Sequence, residues 1–258
     1  MTNARILKSA RLDFNTLTHN ELYNFSLGHA LSIYPLNAIY TFIPKNACSS
    51  LRFSIAVANG FLKTLTDIDW INKNNQTFIP TQRESILAKY TFVVLRCPFR
   101  RVASCFLDKI VDRKIEFNDE NGLKVNVNFN DFLSIIKSQN RFDRDEHWRN
   151  QTDFLHYESY DDYFSLELFK EATNSLTSQG LNVYDTREVL QHDLSMLKKI
   201  DGDFSKTNQD KIKEMKANGS VPDYRSMFSS IEIELVKDIY SDDIELYKTH
   251  CGGKELLF

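Results

Sequence analysis

The sequence feature that most constrains the fold is a pattern that occurs twice, a short apolar segment followed at once by a turn and a helix. The first segment, residues 38–43, reads AIYTFI, and the second, residues 90–95, reads YTFVVL. Runs of this length that are rich in β-branched and aromatic residues are typical of strands buried in a parallel sheet. Strands that alternate with helices therefore predict an α/β fold, with a P-loop-like parallel sheet flanked by helices in three layers.

The second half of the chain is predicted to be rich in helices. Asn130 is expected to cap a helix that runs to Lys137, and Ser230 to cap a helix that runs to Tyr247. The apolar stripe of the second helix would consist of Ile231, Leu235 and Ile239. A third strand is weakly indicated at residues 181–184.

Composition agrees with an ordinary globular protein. The chain has 258 residues, of which 42% are hydrophobic and 26% are charged, and it contains only 8 glycines. These values are close to the average of folded domains, and so few glycines disfavour a chain built from tight β-turns. No repeat and no long linker interrupts the sequence, so a single domain over residues 1–258 is expected.

The charge balance argues against a polyanionic partner. The chain has 32 Lys and Arg against 35 Asp and Glu, a formal net charge of -3. Such a surface creates no global field that would hold nucleic acid or an anionic membrane, so an anionic ligand must meet a local group of donors. We therefore expect no nucleic-acid partner.

The N-terminal residues and the cysteines bear on the compartment. The opening residues MTNARILKSARLDF contain no apolar signal region, and no stretch of about 18 apolar residues follows, so neither secretion nor membrane spanning is predicted. The cysteines form no CxxC pair, which favours reduced thiols in the cytoplasm and no zinc site. They are Cys48, Cys97, Cys105 and Cys251.

The loop between the first strand and its helix is a candidate anion site. Backbone N–H groups at the start of a helix, together with the helix dipole, favour an anion there. Lys45 adds a positive charge, and Asn46, Ser49 and Ser50 add short polar side chains. The loop has no glycine and its lysine comes first, so it does not fit the Walker phosphate-loop pattern. The alternative is that Lys45 is a solvated turn residue and Ser49 caps the helix.

The second strand is followed by a similar group of residues. Arg96 ends the strand, Pro98 suits an early helical position, and Ser104 falls about two turns into the helix. An arginine there could bind a phosphate with two hydrogen bonds, and a helical serine could add a contact from the side. The alternative is that Arg100, Arg101 and Ser104 form a solvated helix face.

These two segments resemble the sulfotransferases, in particular the carbohydrate-type branch called sulfotransferase family 2. IPKNACSSLR, residues 43–52, looks like the branch's loop for the 5′-phosphosulfate, and FVVLRCPFRRVASCFLDK, residues 92–109, looks like its strand, turn and helix for the 3′-phosphate. HWRNQTDFL, residues 147–155, is similar to its HWxxQ-type segment, and residues 224–247 look like its C-terminal helix. Two positions depart from the branch's pattern: Cys97 stands where an aspartate is usual, and Asn150 where a proline is common.

The resemblance implies transfer of a sulfuryl group from 3′-phosphoadenosine 5′-phosphosulfate (PAPS) to an acceptor hydroxyl, with no metal. The implied donor-binding residues are Lys45, Asn46, Ala47, Cys48, Ser49, Ser50, Arg96 and Ser104. Lys45 would also stabilise the charge that develops on the leaving oxygen, and would thus be catalytic. The acceptor is expected to be a carbohydrate or another hydroxyl compound, bound by variable loops such as residues 118–130.

The general base is assigned to His147, at the front of a helix and in one of the matched segments. Its neighbour Trp148 could pack its ring on a sugar or an adenine. Glu84 is the carboxylate alternative, because some sulfotransferases use glutamate. Two other functions remain open from the sequence: a nucleotide or small-molecule kinase, disfavoured by the missing glycines, and a non-catalytic nucleotide-binding module without a base.

Overall fold

The computed structural model describes residues 4–10, 16–74, 76–187, 189 and 196–258. The chain divides into two compact units. The first unit consists of Met1–Arg96, Gln151–Leu190 and Thr249–Gly252, and the second of Cys97–Asn150, Gln191–Lys248 and Gly253–Phe258. A single domain over the whole chain stays a prediction.

The described strands and helices are numbered here in chain order. The strands are β1 (Ala30–Ile33), β2 (Ala38–Thr41), β3 (Tyr90–Leu95), β4 (Phe117–Asn118), β5 (Lys124–Val125), β6 (Asp162–Ser165), β7 (Lys198–Ile200) and β8 (Ser220–Pro222). The helices are α1 (Glu21–Gly28), α2 (Cys48–Ala58), α3 (Trp70–Lys73), α4 (Gln82–Leu87), α5 (Pro98–Cys105), α6 (Phe129–Ser138), α7 (Gln151–Phe154), α8 (Phe169–Ser178), α9 (Gln209–Ala217), α10 (Ser230–Ile239) and α11 (Ser241–Cys251).

The first unit is built on a sheet with the strand order β1-β2-β3-β6. The strand β1 is antiparallel to β2, whereas β2, β3 and β6 run parallel. The two predicted strands are confirmed: β3 has the predicted bounds, and β2 ends two residues earlier than expected. The structure is therefore a mixed α/β fold with a central, mostly parallel sheet flanked by helices. Three-layer packing stays a prediction.

The core of the first unit explains why β2 and β3 form neighbouring strands. Tyr40 and Phe92 are paired in the register and stack with their ring centroids 4.9 Å apart. Both are fully buried, together with Leu51 and Phe53 of α2 in the same apolar cluster. Burial of an aromatic side chain of this kind stabilises the fold by about 1.5–3 kcal/mol.

The second unit contains α5, α6, α9 and α10, the short β4–β5 hairpin and the parallel pair β7–β8. Its core is aromatic, with Phe129 at 5.4 Å from Phe106 and 5.0 Å from Phe228 between ring centroids. The helix α5 continues directly into a π-helical turn over Phe106–Ile110. The hairpin occupies the segment that the sequence predicts to be a loop.

Several predicted boundaries are wrong. Residues 181–184 form no strand, and the third parallel strand is β6 instead. The caps lie earlier than predicted, at Asn128 for α6 and at Ser229 for α10. In each case the true cap precedes an acidic residue by three positions and forms a capping box with it, whereas Asn130 and Ser230 lack that spacing.

The C-terminal helix is also shorter than predicted. It is interrupted at Tyr240, whose backbone is not helical, so residues 230–251 form two helices. The Tyr240 hydroxyl is buried and donates a hydrogen bond to the Trp148 carbonyl at 2.7 Å, which favours this break. Of the predicted apolar stripe, Ile239 is buried, Leu235 is half-buried and Ile231 is exposed. Within the described part of the chain, every helix is too short or too polar to span a membrane.

A buried histidine in the first unit makes stability depend on pH. His156 is fully buried, with Nδ1 at 3.2 Å from Ser26 Oγ and Nε2 at 3.1 Å from Ser85 Oγ. Burial lowers its pKa to about 4, from 6.5 for a free histidine. Because the unfolded chain binds this proton more readily, the folded state loses stability as the pH falls from about 6.5 to about 4.

We expect this histidine to account for about 3 kcal/mol of acid destabilisation in total, the free energy of the shift in its pKa, of which about 2 kcal/mol falls between pH 7 and pH 5. Urea unfolding at pH 7 and at pH 5 would measure the loss in the natural protein and in His156→Gln. The glutamine cannot be protonated, so the variant should lose less stability over this interval. An equal loss in both proteins would contradict the assignment.

Candidate functional site

The loop that follows β2 has an unusual backbone. Lys45 and Ala47 adopt left-handed conformations, with φ of 72° and 58°. Ala47 is the N-cap of α2, and its methyl side chain makes no capping hydrogen bond. The N–H groups in the first turn of a helix have no acceptor within it, and those of α2 belong to Cys48, Ser49 and Ser50. The start of α2 therefore offers donors to an anion.

The polar side chains of this loop divide into two groups. Asn46 and Ser50 are buried: Asn46 Nδ2 donates to the Val94 carbonyl at 2.9 Å, and Ser50 Oγ lies 2.9 Å from Thr186 Oγ1. Lys45 and Ser49 are partly exposed. The alternative prediction that Ser49 caps the helix is wrong, because Ser49 is the second residue of α2 and Ala47 is the cap.

Arg96 lies directly after β3, at the same edge of the sheet as this loop. Because β2 and β3 are parallel, their carboxyl ends meet at one edge, where ligands of α/β proteins bind. The guanidinium of Arg96 donates from Nη1 to the Lys45 carbonyl at 2.9 Å. The structure thus brings together Lys45 and Arg96, two cations that the sequence analysis assigned to one ligand.

Gln151 is the residue of this edge that sequence reasoning missed. Its side chain is fully buried, and Oε1 accepts hydrogen bonds from Asn46 Nδ2 at 2.6 Å and from the Arg96 N–H at 3.0 Å. Its Nε2 donates to the Arg96 carbonyl at 2.9 Å. The only sequence signal was its place in the HWRNQ segment.

In the second unit, α5 begins at Pro98 as predicted and carries Ser104 near its end. Ser104 and Arg101 are buried, so the alternative of a solvated face is wrong for these two residues. Arg101 donates to the Arg149 carbonyl at 2.7 Å and to the Glu146 carbonyl at 3.2 Å. It therefore attaches the segment that contains His147 to the helix that contains Ser104.

His147 lies in a turn, and the prediction that it begins a helix is wrong, because α7 starts only at Gln151. Its Nδ1 is 2.6 Å from Asp145 Oδ1, and the same oxygen accepts the His147 backbone N–H at 2.9 Å. Burial raises the pKa of Asp145, but the hydrogen bonds from His147 lower it more, and the net pKa is below its usual range. An ionised carboxylate on Nδ1 leaves Nε2 as the nitrogen that can accept a proton. The Asp-x-His spacing could have indicated this pair.

Trp148 and Glu84, two further candidates from the sequence, make contacts that stabilise the fold. Trp148 is buried, with its ring 5.5 Å from that of Phe132 and its Nε1 donating to Gln139 at 3.0 Å. The expectation that this ring packs on a ligand is wrong, since it belongs to the core. Glu84 is the third residue of α4 and accepts the Thr81 N–H at 2.7 Å in a capping box.

The comparisons with known proteins decide the family. Residues 35–248, most of the chain, match the model of the sulfotransferase family. The chain belongs to this family. No curated protein and no solved structure matches it. As a member, this sulfotransferase is a transferase enzyme that moves a sulfuryl group to an acceptor hydroxyl.

The donors at the carboxyl edge fit an anionic sulfuryl donor. The ammonium of Lys45, the guanidinium of Arg96 and the N–H groups at the start of α2 all favour negative charge. Among the residues that the structure describes, no group of three or more His, Cys, Asp or Glu side chains could hold a metal ion. The positive groups at this edge are suited to a negatively charged ligand.

Proposed function

We propose that the protein transfers the sulfuryl group of PAPS to a hydroxyl of a carbohydrate. The observation that carries the proposal is the contact between Arg96 and the Lys45 carbonyl, which joins two cationic residues at the end of neighbouring parallel strands. A donor with phosphate groups at both its 3′ and 5′ positions suits two separate cations. The family match and the uncapped start of α2 support the same donor.

The donor supplies the sulfuryl group, and the loop residues stabilise the negative charge that develops on the leaving phosphate oxygen. Lys45 and the N–H groups of Ala47, Cys48, Ser49 and Ser50 are proposed to bind the 5′-phosphosulfate. Charge grows on the leaving phosphate oxygen as its bond to sulfur breaks, so donors fixed beside it act most strongly in the transition state. Asn46 holds this loop in place through its buried amide.

Arg96 and Ser104 are proposed to bind the 3′-phosphate. Arg96 directly follows β3 in the first unit, and Ser104 lies near the end of α5 in the second. Binding there anchors the donor at a distance from the reacting sulfur, and this energy helps to orient the sulfuryl group for in-line attack.

His147 is proposed to be the general base that takes the proton of the acceptor hydroxyl. The carboxylate of Asp145 at 2.6 Å from Nδ1 stabilises the imidazolium that forms and directs Nε2 toward the acceptor proton. Glu84 is the weaker candidate, because its carboxylate already caps α4.

The acceptor and the compartment complete the proposal. A carbohydrate is proposed because the matched segments resemble the carbohydrate branch, with Cys97 and Asn150 as its departures. Cys97 is buried and accepts the Leu257 N–H, and Asn150 accepts a hydrogen bond from Arg144 at 2.9 Å. The cytoplasm is proposed because the cysteines form no CxxC pair, which favours reduced thiols.

A thermal-shift screen with turnover tests the proposal. Adenosine 3′,5′-bisphosphate, the product of the donor, should stabilise the protein, by about 2.7 kcal/mol at a hundred times its Kd. Transfer from labelled PAPS to a sugar acceptor should then be measurable. Stabilisation by ATP with magnesium alone would favour a kinase. Bisphosphate binding without transfer to any acceptor would favour a binding module.

A comparison of adenosine 3′,5′-bisphosphate with 5′-AMP, which lacks the 3′-phosphate, tests the proposed role of Arg96. We expect Arg96→Ala to weaken bisphosphate binding by about 1.5–3 kcal/mol, the range for a hydrogen bond to a charged group. Calorimetry with both nucleotides isolates the 3′-phosphate, because any disturbance of the Lys45 loop affects both alike. Arg83→Ala, on the exposed surface of α4, is the matched charge control. Equal binding of the two nucleotides by the natural protein would contradict the role of Arg96.

A further inference from the structure

The side chain of Gln151 pairs with the backbone of Arg96 as a neighbouring strand residue would. It accepts the Arg96 N–H at 3.0 Å and donates to the Arg96 carbonyl at 2.9 Å. Both polar groups of the peptide backbone at Arg96 are thereby satisfied directly beyond the end of β3. Buried backbone N–H and carbonyl groups without partners would destabilise the fold, so this pairing fixes the position of the Arg96 backbone.

The same amide is bound to the loop after β2. Gln151 Oε1 accepts a hydrogen bond from Asn46 Nδ2 at 2.6 Å, and Asn46 Nδ2 also donates to the Val94 carbonyl at 2.9 Å. The side chains of Asn46 and Gln151 are both fully buried. Hydrogen bonds are stronger in such surroundings than in water, and leaving one partner unpaired is costly.

These contacts and the bond from Arg96 to the Lys45 carbonyl form a closed network. The network joins the loop to the end of β3, and Gln151 enters it from outside these two segments. A displacement of the Gln151 amide would move Asn46 and Arg96 together. The position of the Lys45 backbone relative to the Arg96 guanidinium would then no longer be fixed.

We propose that Gln151, through Asn46, is a positioning residue that sets the spacing of the two proposed anion-binding elements. It touches no ligand itself. The proposal rests on the proposed function, which assigns the loop and Arg96 to the two phosphate positions of the donor. It adds a determinant of donor geometry that lies 55 residues away in sequence from Arg96.

The test uses Gln151→Met, which preserves the length of the side chain and removes its hydrogen bonds. Asn46→Ala is the second variant, which removes the Asn46 partner of the hydrogen bond to Gln151. It replaces the methionine variant in the test if that variant does not fold. Thr91→Val is the matched control, because Thr91 is a fully buried residue of β3 whose Oγ1 donates to Asp161 at 3.1 Å. All proteins are compared well below their unfolding temperatures.

The first readout needs no ligand. Amide hydrogen exchange of the peptide that contains residues 44–50 should be faster in Gln151→Met and in Asn46→Ala, and unchanged in Thr91→Val. Unchanged exchange in both Gln151→Met and Asn46→Ala would overturn the proposal, whichever ligand the protein binds. Faster exchange in the Thr91 variant as well would also overturn it, because the effect would then follow general destabilisation.

The second readout is the affinity for adenosine 3′,5′-bisphosphate. We expect Gln151→Met and Asn46→Ala each to bind this nucleotide about tenfold more weakly, which corresponds to about 1.4 kcal/mol. The double variant should bind no more weakly than the poorer single variant, because both changes break one network. Additive losses would overturn the proposal. If the natural protein failed to bind the bisphosphate, the donor assignment would fall, and the exchange measurement alone would decide the positioning role.

Discussion

Replacement of His147 by alanine will lower kcat by about 10²- to 10⁴-fold, the range for the loss of a general base. Affinity for adenosine 3′,5′-bisphosphate should remain unchanged, because the proposed role of His147 concerns the acceptor proton and not the donor. The physical reason is the pair that His147 forms with Asp145 at 2.6 Å, which leaves the other ring nitrogen to accept that proton. Single-turnover rates with saturating PAPS and acceptor, together with calorimetry of the bisphosphate, measure both quantities.

Two variants accompany this experiment. Asp145→Asn keeps the shape of the contact but removes the charge that stabilises the imidazolium, so its kcat should fall less than that of His147→Ala. Glu84→Gln should keep its turnover, since that carboxylate caps α4. A His147 variant with normal turnover beside an inactive but folded Glu84 variant would transfer the role of base to Glu84.

Replacement of Lys45 by alanine should lower kcat by about 10²- to 10³-fold, as for other fixed donors that act on a developing charge. The change removes the side chain with its ammonium and keeps the contact to Arg96, because Arg96 binds the Lys45 backbone carbonyl. Donor affinity should change less than kcat, since the charge on the leaving oxygen is larger in the transition state than in the ground state.

The control for Lys45 is Lys89→Ala, which removes one positive charge just before the start of β3, at the opposite end of the strand from Arg96. Its kinetics should match those of the natural protein. A raised KM for the donor with kcat unchanged in Lys45→Ala would mean that Lys45 binds ground state and transition state equally. The proposed catalytic role would then be wrong.

The parts of the fold that could be predicted are those governed by local pattern. The strands β2 and β3 are continuous apolar runs, and Pro98 marks the start of α5, so sequence alone located them. The strand β6 escaped prediction because it is short and begins with the polar Asp162. The split at Tyr240 coincides with a hydrogen bond to Trp148, 92 residues away in sequence, which no local pattern contains.

The candidate site was predictable to the same extent. Lys45 and Arg96 follow predicted strands, so their meeting at one edge of the sheet could be expected from topology. Gln151 lies 55 residues from its partner Arg96, and its contact depends on the tertiary fold. The prediction that the Trp148 ring packs on a ligand failed for the same reason. Its contacts with Phe132 and Gln139, which place the ring in the core, also depend on the tertiary fold.

The left-handed backbone of the loop after β2 has an evolutionary consequence. Neither Lys45 nor Ala47 is a glycine, although a side chain in this conformation costs roughly 1–2 kcal/mol per residue. A glycine at position 47 would relieve that strain, but it would also let the loop sample many other shapes, and only the fraction in the competent shape could bind. Selection for global stability and selection for donor affinity would therefore act on Ala47 in opposite directions. Under the proposed function, the strained alanine is a place where stability is lost in favour of the conformation that would bind the donor.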